Sequence, residues 1–110
     1  MVMSTGHHDL GAGIIVKRAT FAATGATDIV AAVTGKRIRV IAMAVSLSGA
    51  GTIVFKSAST DIGSIVAKAA DPTTVLQWNP DGWFQTAASE KFAVTPSANT
   101  ATGFILYIEV

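Results

Sequence analysis

The sequence predicts an all-β domain, an antiparallel β-sandwich of jelly-roll type with an extended N-terminal arm. Three observations predict it. The 110 residues are 50% hydrophobic and only 14% charged, which excludes a disordered chain and fits a single packed core. Clusters of Gly, Ser, Asn, Asp, Pro and Thr interrupt the chain at short intervals. The runs between them are short, rich in Val, Ile, Thr, Phe and Ala, and alternate apolar with polar side chains.

The elements follow in order. Residues 1–13 hold Gly6, Gly11, Gly13 and the pair His7–His8, with little that could pack. They are expected to form an arm that lies on a neighbouring subunit or partner, with residues 14–110 as the sandwich domain. Turns are expected at Ala23-Thr24-Gly25, Thr34-Gly35-Lys36, Ser48-Gly49-Ala50-Gly51, Ser57-Ala58-Ser59-Thr60, Asp71-Pro72, Asn79-Pro80-Asp81-Gly82 and Ser97-Ala98-Asn99-Thr100. Seven or eight short strands separated by such turns point to a sandwich or jelly roll.

Alternation assigns faces. In residues 52–56, Ile53 and Phe55 oppose Thr52 and Lys56; in residues 91–95, Phe92 and Val94 oppose Lys91 and Thr95. In residues 104–110, Phe104, Leu106, Ile108 and Val110 form one face, and Ile105, Tyr107 and Glu109 the other. Residues 37–47 carry Ile38, Val40, Ala42 and Ala44 on one face and Ile41, Met43, Val45 and Leu47 on the other. Both faces being apolar, this strand is expected to be buried on both sides. Ile41, Met43, Val45 and Leu47 are then expected to form a seam with another subunit or with a capsid. Residues 62–70 are the one segment where a short helix competes with a strand.

Composition narrows the function. The charged fraction is well below the roughly 25% of ordinary soluble domains, so part of the apolar surface is expected to enter contacts between chains. The net charge of +1 gives no field to attract nucleic acid or an anionic membrane. There is no Cys, which removes disulfides, thiol chemistry and cysteine zinc sites. No apolar run approaches the ~18 residues of a membrane span. No Lys or Arg precedes the short apolar run after residue 13, so no signal peptide is expected and assembly is expected in the cytoplasm.

Candidate chemistry is sparse. His7-His8-Asp9 holds the only histidines, but neighbours on an extended chain point to opposite sides and no further ligand stands at a supporting spacing. Gly11-Ala12-Gly13 lacks the third Gly and the Lys-Ser/Thr of phosphate loops. Nothing in the sequence selects a pair among the carboxylates, and no His outside the arm can serve a triad. The basic positions Lys17, Arg18, Lys36, Arg37 and Arg39 suit solvated strand edges. The reading is therefore a non-enzyme with no cofactor and no metal. Residues 78–84, WNPDGWF, are the most distinctive stretch. Pro80, Asp81 and Gly82 form a tight turn, flanked by Trp78, Trp83 and Phe84. These aromatics are expected to plug one end of the sandwich or anchor a subunit contact, with a sugar-stacking platform as the alternative.

Four stretches carry a resemblance: residues 26–40 (ATDIVAAVTGKRIRV), 54–57 (VFKS), 79–87 (NPDGWFQTA) and 103–110 (GFILYIEV). Together they make residues 20–110 resemble small virion structural proteins of tailed bacteriophages. The resemblance implies a β-sandwich or jelly-roll fold, trimeric assembly, and display on a capsid or at a fibre. The expected function is a capsid decoration (cement) protein that binds the outer capsid surface and bridges capsomers. Its expected partners are copies of itself, as a homotrimer, and the major capsid protein, with no nucleic acid and no membrane. His7, His8 and Leu10 of the arm are expected to touch a subunit or the capsid. The alternative is a receptor- or glycan-binding module of a head fibre or tail, using Trp78 and Trp83 on a host glycan.

Overall fold

The computed structural model describes residues 14–110. The arm, with His7, His8 and Leu10, lies outside the described residues. The domain is all-β. Its strands are β1 (Lys17–Ala23), β2 (Thr27–Val30), β3 (Ile38–Leu47), β4 (Gly51–Ser57), β5 (Thr60–Ala67), β6 (Thr73–Leu76), β7 (Phe84–Gln85), β8 (Phe92–Pro96) and β9 (Ala101–Glu109). They form two sheets, a larger one in the order β1-β9-β3-β6 with the short β7 also on β3, and a smaller one in the order β2-β8-β4-β5. Every pairing is antiparallel.

The pairings are nested. The β4–β5 hairpin is innermost; β3–β6, β2–β8 and β1–β9 enclose it in turn. The two sheets pack face to face as a β-sandwich. Phe21, Ile38, Val40, Met43, Val45, Leu47 and Ile105 of the larger sheet share one core cluster with Ile53, Phe55, Phe92 and Val94 of the smaller. The alternation at Ile53/Phe55 and Phe92/Val94 thus points inward, and removal of these side chains from water drives the two sheets together.

Three β-bulges interrupt the strict period of two. In each, an isoleucine is the extra residue: Ile29 between Asp28 and Val30, Ile41 between Val40 and Ala42, and Ile62 opposite the step from Phe55 to Lys56. The bulge at Ile41 corrects the expectation for β3. This strand is not apolar-faced on both sides against two layers. Before the bulge the inner residues are Ile38 and Val40; after it they are Met43, Val45 and Leu47. The extra residue shifts the phase, so that two apparent faces become one. Over residues 62–70, where helix and strand compete in the sequence, the structure has β5 as far as Ala67, and the bulge at Ile62 lets Ile62 and Ile65 both pack on the core, which imitates a helical spacing in sequence.

The fold assigns the two faces of β9. Ile105 and Tyr107, with the less uniformly apolar alternation, point to the core, while Phe104, Leu106 and Ile108 lie on the outer side. Gly103 makes the central pairing possible. A Cβ there would strike the Ala44 carbonyl oxygen and come within 2.8 Å of Val45 Cα. Gly103→Ala is therefore expected to lower stability by about 1–3 kcal/mol through overpacking, read from chemical denaturation. At the β4–β5 hairpin, Ala58 opens the two-residue loop at φ 52°, a left-handed geometry that costs an L-residue about 1–2 kcal/mol. In the same assay Ala58→Gly is expected to raise stability, by up to about 1 kcal/mol after glycine's entropic cost.

Candidate functional site

The two outer faces of the sandwich differ in chemistry. On the smaller sheet, Asp28, Ala93, Lys56 and Asp61 make one cross-strand row, and Thr95, Val54 and Ser64 the next. Lys56 pairs with Asp61 at 3.0 Å, and Lys91 reaches Asp28 at 3.0 Å. These are exposed ion pairs, each contributing about 0–1 kcal/mol. The same face also carries Val66, 68% exposed and paired with Thr52.

The outer face of the larger sheet has no such ion pairs. Its middle row is Thr20, Phe104, Ala44 and Val75 across β1, β9, β3 and β6. The adjacent row runs Arg18, Leu106 and Ala42, and the row on the other side runs Ala22, Thr102, Ser46 and Thr73. Val75 is 64% exposed and Phe104 38%. The strand spacing of ~4.8 Å and rows two residues apart give the three rows about 400 Å², of which the apolar positions Phe104, Ala44, Val75, Leu106 and Ala42 make up about 160 Å². Arg18 stands on its rim.

At one end this face is closed by its own chain. After β6 the backbone leaves the edge of β3 and returns at β7. Asn79 N–H donates to the Ile41 carbonyl at 2.7 Å, and Trp83 N–H to the Val40 carbonyl at 2.8 Å. Between them Gly82 N–H donates to the Asn79 carbonyl at 2.9 Å, and Asp81 N–H to Asn79 Oδ1 at 3.1 Å. Gly82 sits at φ 91°, with Arg39 Cγ 2.6 Å from where a Cβ would stand. Arg39 Nε donates to Gln85 Oε1 at 2.8 Å. Ile108, opposite Arg39 across the β3–β9 ladder, is buried here.

The structure divides the WNPDGWF aromatics. Phe84 turns inward: its ring lies 4.7 Å from Phe55, which lies 5.9 Å from Phe92. Gly63, paired with Phe55, leaves the space for it, since a Cβ there would overlap the Phe84 ring. Trp78 and Trp83 remain 39% and 44% exposed. Trp83 Nε1–H donates to the Gln77 carbonyl at 2.6 Å, which fixes the indole against its own loop.

Ile41, Met43, Val45 and Leu47 are each no more than 2% exposed. Met43, Val45 and Leu47 belong to the core cluster, and Ile41 is buried outside it. The strand carries its outward-facing side at Ala42 and Ala44 instead. Sequence reasoning missed Phe104, Leu106 and Val75 as surface residues. The signal was the uniformly apolar alternation at Phe104, Leu106 and Ile108, which reads as a core face.

The polar groups inside serve the scaffold. Buried Thr86 accepts the Ile38 N–H on its Oγ1 at 2.9 Å. Buried Ser57 Oγ donates to Glu90 Oε1 at 2.5 Å and accepts the Ala87 N–H at 2.9 Å. At the surface, Lys17 pairs with Glu109 at 3.2 Å. Among the described residues no group of three or more His, Asp or Glu is placed to hold a metal ion. No protein-family model matches the sequence, and no curated protein matches it significantly.

Phe84→Ala is expected to cost about 3–5 kcal/mol of stability, with Trp83→Ala costing less because its ring is half in solvent; thermal unfolding of both variants checks the order.

Proposed function

We propose that this chain is a non-enzymatic structural protein of a virion, a capsid decoration protein of jelly-roll type that binds the outer capsid surface and bridges capsomers. The observation that carries the reading is the contrast between the outer faces: one holds the Lys56–Asp61 and Lys91–Asp28 ion pairs, while the other presents Phe104, Leu106 and Val75 with no ion pair among them. The nested antiparallel pairing supports the jelly-roll assignment, because a jelly roll is a long hairpin rolled into two sheets. The virion and its capsid protein are taken from the resemblance carried by residues 26–40, 79–87 and 103–110.

The mechanism is burial without chemistry. Covering about 160 Å² of apolar face contributes at most about 4 kcal/mol, at ~25 cal/mol per Å². The cost of association is of similar size. One such contact is weak alone and becomes durable when a lattice repeats it.

A second reading keeps a specific observation. Trp78 and Trp83 are part-exposed on one loop, the arrangement a glycan-binding module of a fibre or tail requires for stacking on a sugar ring. Cosedimentation with undecorated shells separates the two. The decoration reading predicts that the purified chain binds the shells and raises their temperature of disruption, and that Trp83→Ala binds as well as wild type. Failure of the wild-type chain to bind contradicts it. Binding of soluble oligosaccharides, lost in Trp83→Ala, supports the second reading instead.

A further inference from the structure

We draw no further inference here: the strongest candidate, the outer face of the larger sheet around Phe104, Leu106 and Val75, carries nothing because nothing in the structure shows what covers it.

Discussion

The ladder between β3 and β9 is the constraint on which the rest of the structure depends. These two strands occupy the middle of the larger sheet and run side by side from Ile38 opposite Glu109 to Leu47 opposite Ala101. Their close approach is secured by Gly103, and their one irregularity is the bulge at Ile41. Before the bulge, β3 supplies Ile38 and Val40 to the core; after it, Met43, Val45 and Leu47. The same shift leaves Ala42 and Ala44 facing out, across from Leu106 and Phe104. One inserted residue thus completes the inner core and shapes the relief of the outer face.

The edge of β3 links this ladder to the aromatic loop. β6 pairs with its later half and β7 with its start, and the chain between them makes the Asn79–Gly82 turn outside the sheet. Phe84 returns from that turn into the space left by Gly63 and stacks on Phe55. The loop therefore joins the two sheets through an aromatic contact and also caps one end of the outer face beside Arg39 and Ile108. Packing and presentation of surface use the same residues, so changes made for one are felt by the other.

Much of the architecture was legible in the sequence. The turn clusters and the alternation at Ile53/Phe55 and Phe92/Val94 give an all-β chain and two inner faces, because a strand with one wet side must repeat every two residues. The tight turn around Gly82 was legible from glycine's tolerance of positive φ. The bulges were not legible. An inserted residue changes phase without changing composition, so β3 read as a strand apolar on both faces, and the spacing of Ile62 and Ile65 resembled a helix. The direction of β9 was hidden for a different reason. Phe104, Leu106 and Ile108 are as apolar as any core face, and only the pairing partners on β3 show that they face outward. An apolar outer face is indistinguishable in sequence from an inner one until the fold assigns it.

The central claim is that this domain works by covering the outer face of its larger sheet within a larger assembly. Imaging of intact, purified virions at a resolution that separates strands tests it most directly. The account predicts density for this sandwich on the outer capsid surface, with Phe104, Leu106 and Val75 against another protein surface. Absence of the chain from the particle, or a sandwich attached with that face open to solvent, contradicts it.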